Sequence, residues 1–250
     1  MHNSRPIQLY VDLRQTPDDE EEACFDWLQG ADALVLDPAH CTPDRFGAMP
    51  VERALLQSAD PARHEPWKEQ CCDWVGDQGI EETARLRDLH PQLHWIPRLG
   101  VSRAQVSYRF SGPAVGEGFS FYMPDPAAIK GWQVAGVSLE TALARVTALG
   151  FDTLWLHSPV AASRCRGLDL DLLEKTGRGD WAVWLSGGVG DVGHLRNLAR
   201  VGGASAVVVE AAVAQACSSV SLTEALVAEP PRPEAVPMTF TPRKPGQGAL

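Results

Sequence analysis

No run in this chain approaches the roughly 20 consecutive apolar residues that a membrane-spanning helix needs, so no transmembrane segment is expected. The first residues, Met1 to Pro6, are polar and lack the apolar core of a secretory leader, which points to the cytoplasm. No basic stretch offsets the net charge of −10. That argues against nucleic acid as a partner, because a phosphate backbone is bound through clustered lysine and arginine. None of the six cysteines stands in a CxxC pair. Neither a disulfide framework nor a zinc ribbon is therefore expected, and the adjacent Cys71 and Cys72 read as free thiols.

What the chain does have is alternating strand and helix patterns. Its 250 residues match one (β/α)8 barrel or two small domains, and 44% hydrophobic with 22% charged residues is ordinary for a globular core. The clearest segment runs from Trp181 to Val209. Trp181–Leu185 is an apolar run of strand length that ends in Ser186-Gly187-Gly188-Val189. A helical pattern covers Val192–Arg200, Gly202-Gly203 follows, and Ala206–Val209 is a second buried strand. Glycines at the carboxyl end of a strand let backbone N–H groups close on an anion. In (β/α)8 barrels a phosphate site is often built from the loops after the last two strands.

Ile7–Asp12 and Ala33–Asp37 read as strands. The long stretch from Pro38 to Pro91 carries helical patterns near Val51–Ser58 and Ile80–Leu89. Leu93–Leu99, Gln105–Phe110 and Gly118–Met123 read as further strands. Ser138 caps a helix that reaches Leu149 and stops at Gly150; Asp152–His157 is a strand, and Leu168–Lys175 and Leu222–Ala228 are helices. Strands alternating with helices favour a parallel sheet, and the regular second half favours an α/β (β/α)8 TIM barrel over a doubly wound sheet. The barrel is expected over residues 1–228, with an irregular or reduced unit around strands three and four. The few residues between Leu99 and Gln105 are too short for a parallel crossover. Residues 229–250 form a Pro-rich C-terminal tail, a candidate docking segment for a protein partner.

From Lys130-Gly131-Trp132 to Val227 the chain resembles the second half of the histidine-biosynthesis barrels, a branch of the ribulose-phosphate-binding barrel superfamily. It looks in particular like the ProFAR isomerase, which opens a ribose ring by an Amadori rearrangement. The likeness rests on Gly131-Trp132, the helix Glu140–Leu149, Gly167 with Leu168–Leu173, Ser186-Gly187-Gly188-Val189, and Leu195 through Gly203. Tyr10-Val11-Asp12-Leu13 is similar to that family's first-strand motif, whose aspartate is catalytic. The resemblance implies a TIM barrel with acid–base carboxylates at Asp12 and Asp125. Three departures stand beside it. Glu210-Ala211-Ala212 replaces a Gly-Arg-Ala turn, and a carboxylate about 4 Å from a phosphate on Gly187 and Gly188 opposes it by on the order of 4 kcal/mol at an effective dielectric of about 20. His157-Ser158 and Ala162-Ser163-Arg164 stand for Thr-Asp and Asp-Gly-Thr, and Pro97-Arg98-Leu99-Gly100 stands for a glycine triplet. These departures argue against genuine ProFAR isomerase activity.

Residues at the carboxyl ends of barrel strands face the active site. That rule gathers Asp12 and Arg14 from strand one, Asp37 and His40 from two, and Arg98 from three. It adds Asp125 and Lys130 from five, His157, Ser158 and Arg164 from six, Ser186, Gly187 and Gly188 from seven, and Glu210 from eight. Asp12, Asp125 and His157 are the candidate acid–base groups. Arg98 and Arg164 suit forked contacts to an anion, and Trp132 either stacks on a flat substrate or anchors its loop. Asp37 and His40 lack a third metal ligand, so neither metal nor cofactor is expected. Plainer readings stand beside these: a turn-forming Asp, a hydrogen-bonded strand-end His, a solvated Arg, a Gly-Gly pair that only makes the turn. The expectation is an isomerase, lyase or synthase that acts by acid–base chemistry on a small phosphorylated or anionic metabolite in cofactor or amino-acid biosynthesis. Relatives of the isomerase near one-carbon and methanopterin genes suggest one setting. The alternative is a catalytically retired barrel that serves as a ligand-binding or partner subunit.

Overall fold

A closed barrel buries both faces of its sheet, so its strands read as nearly continuous apolar runs whose alternate side chains enter two different cores. The computed structural model describes residues 7–14, 25–57, 63, 66–67, 71–103, 108–110, 122–124, 131–176 and 181–227. In β1 (Gln8–Asp12), Leu9 and Val11 join the core beneath the helices while Tyr10 joins the barrel interior. The ring continues through β2 (Ala33–Leu36), β3 (Ala54–Leu56), β4 (Cys71–Gly76) and β5 (His94–Arg103). Four strands outside the ring follow: β6 (Tyr108–Phe110), β7 (Tyr122–Pro124), β8 (Trp132–Val134) and β9 (Val137–Ser138). The ring resumes with β10 (Thr153–His157), β11 (Ala182–Ser186) and β12 (Ala206–Glu210). Parallel pairing of β5 with β10 and of β12 with β1 closes it. The protein is a (β/α)8 TIM barrel.

The interior is filled, as barrels of this size are. Tyr10 meets Trp184 edge-on at 4.8 Å between ring centroids, and Trp155, Ile96, Leu55 and Val208 complete the plug. Outside lie α1 (Pro43–Gly47), α2 (Ile80–Leu89), α3 (Leu139–Ala148), α4 (Pro159–Arg164), α5 (Asp171–Thr176), α6 (Val192–Val201), α7 (Ala211–Cys217) and α8 (Ser219–Leu226). Ser138 caps α3, its Oγ accepting from Thr141 N at 3.2 Å. Asp191 caps α6, accepting from Gly193 N at 2.7 Å and His194 N at 3.2 Å. These caps satisfy amides that a helix start leaves unpaired. Among the described residues no helix is long and apolar enough to cross a membrane.

The first half differs from its sequence pattern. The helix expected near Val51–Ser58 gives way to β3, and β4 lies between β3 and α2, so the strand around Leu93–Leu99 is the fifth, not the third. Ala, Leu, Arg and Gln favour helix intrinsically, and three residues are too few to display a period of two; burial on both faces decides the outcome. Tyr108–Phe110 and Tyr122–Pro124 pair antiparallel with each other, and β8 pairs antiparallel with the far end of β5. None of them is a barrel strand. Between β3 and β4 the register shifts at Ala54 and Leu55. The Pro-rich tail lies outside the described residues.

Candidate active site

Strand alternation carries the inward direction past the apolar plug to the carboxyl mouth. Two positions beyond the interior residues Tyr10, Val35, Leu55, Val75, Ile96, Trp155, Trp184 and Val208 stand Asp12, Asp37, Gln57, Asp77, Arg98, His157, Ser186 and Glu210. Every barrel strand thus delivers one polar residue to the mouth, in two successive layers drawn from alternate strands. Asp12, Arg98, His157, Ser186 and Glu210 line one open cavity of about 450 Å³, together with Arg14, Gly187, Gly188 and the start of α7.

Asp12 chelates Arg14: Oδ1 accepts from Nε at 2.8 Å and from the Arg14 backbone N at 3.1 Å, and Oδ2 accepts from Nη2. Both arginines stand over Trp155, with Cζ 5.4 Å (Arg14) and 5.1 Å (Arg98) from the ring centroid, a favourable place for a cation. Arg98 Nε is buried and has no hydrogen-bond partner among the described residues. Burial and then the nearby Arg14 charge lower the pKa of Arg98, against the opposing pull of Asp12 and Asp77. His157 Nδ1 lies 2.9 Å from Ser186 Oγ, which also accepts the Trp155 indole N–H at 2.7 Å. In the tautomer where Ser186 donates to Nδ1, the ring N–H is on Nε2. Burial, then Arg98 and Arg14, push the His157 pKa down to about 4, with Asp12 opposing. At neutral pH this imidazole is uncharged.

The Gly187-Gly188 turn has a structural cause of its own. Both residues have positive φ, +92° and +96°, and a Cβ would stand 2.5 Å from Ser158 O at Gly187 and 2.2 Å from Gly167 O at Gly188. Gly167 N donates to Gly188 O at 2.7 Å, so the loop after β11 packs backbone to backbone on the loop after β10. Only glycine fits there, with or without an anion. Glu210 is exposed at the rim, where it precedes α7 without forming a side-chain cap.

Other candidates lie elsewhere. Arg164 is exposed on α4 and lines a separate surface recess with Arg166 and Asp169. Trp132 is buried against Arg103, whose Cζ is 4.6 Å from its ring centroid, so it anchors β8 and does not face the cavity. Asp125 lies outside the described residues, and the strand before it is not part of the barrel. Asp37 and His40 pair with each other at 3.4 Å. Among the described residues no three His, Cys, Asp or Glu side chains are grouped as metal ligands. Gln57 and Asp77 were not foreseen. Gln57 Nε2 donates to Asp77 Oδ2, while Gln57 Oε1 is buried without a partner. Their signal is the spacing Leu55-x-Gln57 and Val75-x-Asp77, which repeats Tyr10-x-Asp12 once those runs are read as strands.

No protein-family model matches the chain, and no curated protein matches it.

Proposed function

We propose that this barrel is an enzyme that binds a small phosphorylated or otherwise anionic metabolite at its mouth and moves protons on it. It would do so as an isomerase, lyase or synthase of cofactor or amino-acid biosynthesis, diverged from the ribulose-phosphate-binding barrels. The observation that carries this reading is convergence: Asp12, Arg14, Arg98, His157 and Ser186 come from β1, β5, β10, β11 and their loops to line one open cavity. The arginines supply forked N–H donors for an oxyanion. Asp12 and His157 are the acid–base pair, two titratable groups whose surroundings differ. A neutral His157 donates a hydrogen bond to a carbonyl or hydroxyl oxygen while the carboxylate takes a proton from carbon. On this reading the protein works in the cytoplasm on a small metabolite. The reaction is not that of ProFAR isomerase, because Glu210 replaces a phosphate-binding glycine.

One observation favours the retired-barrel alternative: both carboxylate oxygens of Asp12 are engaged by Arg14. The two readings part in one experiment. Metabolites that raise the melting temperature are incubated with the protein in D2O, and carbon-bound protons are followed by NMR. The enzyme reading expects deuterium to enter at a ligand carbon, with the rate falling roughly 100-fold or more in Asp12→Asn and in His157→Gln. Binding without exchange is the retired-barrel result.

A further inference from the structure

Among the described residues two guanidiniums line the cavity at the mouth, and only one has a counter-ion. Arg14 is chelated by Asp12. Arg98 forms no ion pair among the described residues, and its Nε is buried without an acceptor. The carboxylates that act on it are Asp12, already held by Arg14, and Asp77, which accepts from Gln57. Arg98 is half-buried; a partly desolvated cation without a counter-ion is costly, and an anion in the cavity it lines offsets that cost. The Gly187-Gly188 turn makes no comparable demand. Backbone packing accounts for its glycines, and the Glu210 carboxylate shares its side of the cavity. β12 is separated from β5 by β10 and β11 in the ring, so Glu210 and Arg98 occupy different parts of the mouth.

We propose that the ligand's oxyanion seats on Arg98, between it and Arg14 above the Trp155 ring, and not on the Gly187-Gly188 turn. This rests on the reading of the cavity as a site for an anionic metabolite. The charges facing His157 are Arg98 from β5 and Arg14 and Asp12 from β1 and its loop. Glu210 from β12 lines the same cavity, and the hydroxyl of Ser186 and the indole of Trp155 are the neutral polar groups beside it. Burial first, and then the two cations against Asp12, keep the imidazole uncharged. An oxyanion on Arg98 offsets part of that repulsion, so ligand binding raises the proton affinity of His157 while burial still holds it below its ordinary value.

The test uses the full chain with inorganic phosphate and with acetate as probes, read by melting temperature and by NMR titration of the His157 ring protons. Phosphate or acetate should raise the melting temperature and move the His157 midpoint up by about one pH unit or more, a roughly tenfold gain in proton affinity. The probe that binds more tightly identifies the oxyanion class. Arg98→Gln should weaken binding roughly tenfold or more and raise the His157 midpoint even without anion. Arg98→Lys keeps the charge without the fork, so it should hold the midpoint low while weakening binding. Arg85→Gln, on the exposed face of α2, should change neither. If Arg98→Gln binds phosphate as wild type does while Glu210→Gln tightens it, the anion sits at the glycine turn. This inference then falls while the anionic-ligand reading stands. If neither probe affects the wild-type protein, the reading of the cavity itself falls.

Discussion

At the amino end of the barrel the charges engage one another. Asp73 accepts from Arg53 Nη2 at 3.0 Å and from His94 Nδ1 at 2.6 Å, and His94 Nε2 lies 3.1 Å from Asp152. These residues belong to or directly precede β3, β4, β5 and β10, so the cluster stitches four neighbouring strands. At the carboxyl end Arg14 is paired, but Arg98 keeps a buried N–H with no acceptor among the described residues. The two histidines register the contrast. The Asp73 hydrogen bond, against burial and with help from Asp152, raises the His94 pKa to about 9; burial and two arginines push His157 down to about 4. Charges matched within the protein hold a fold together. A charge left unmatched in a cavity is available to a ligand, at some cost in stability.

The largest expected effect removes the centre of the paired end. Asp73→Ala removes the carboxylate shared by Arg53 and His94, and should cost about 3 kcal/mol in chemical denaturation, the low end for a broken buried pair because both partners reach solvent. A loss under about 1 kcal/mol would mean the cluster is not what holds that end. Next is Gly188→Ala, which forces a Cβ to within 2.2 Å of Gly167 O at positive φ. It should cost about 2 kcal/mol. A variant that keeps its stability and loses phosphate binding would return the anion to the turn. Third, Arg98→Met should stabilise the protein by about 1 kcal/mol, opposite in sign to Asp73→Ala; a loss of similar size would show that Arg98 is already compensated.

In pH dependence the two ends carry opposite signs. His94 binds its proton more tightly folded than unfolded, about 9 against 6.5. Its contribution is complete below pH 6.5 and lost as pH rises through about 9. His157 binds its proton less tightly folded, about 4 against 6.5. Stability tied to it is complete above pH 6.5 and lost as pH falls toward 4. His94→Gln should therefore flatten the alkaline limb of the stability curve and His157→Gln the acid limb. Urea titrations across pH distinguish them, and a variant that flattens the wrong limb contradicts the assignment.

The second half of the barrel was legible because β10, β11 and β12 are unbroken apolar runs bounded by a capping Ser138, Gly150 and Gly202. β3 and β4 were not, because one is three residues long and the other carries Asp73 inside an otherwise apolar run. Arg98 was placed on the wrong strand yet at the right end, since the strand-end rule depends on chain direction and not on strand count. Asp12, His157, Ser186 and Glu210 follow from the same alternation. Arg164 and Trp132 stand close to the mouth in sequence, but a short helix turns one outward and an antiparallel pairing buries the other. No pattern of spacing shows that Asp12 is chelated, that Arg98 is not, or that Gly187 and Gly188 serve backbone packing; those depend on contacts across the barrel.

The most direct test records both histidines in one NMR pH titration, with and without inorganic phosphate. His94 should titrate near 9 in both samples. His157 should titrate near 4 in the free protein and move upward when phosphate is present. Both titrating near the ordinary value of about 6.5, or shifting together with phosphate, would contradict the division between a self-paired end and a mouth that awaits an anion.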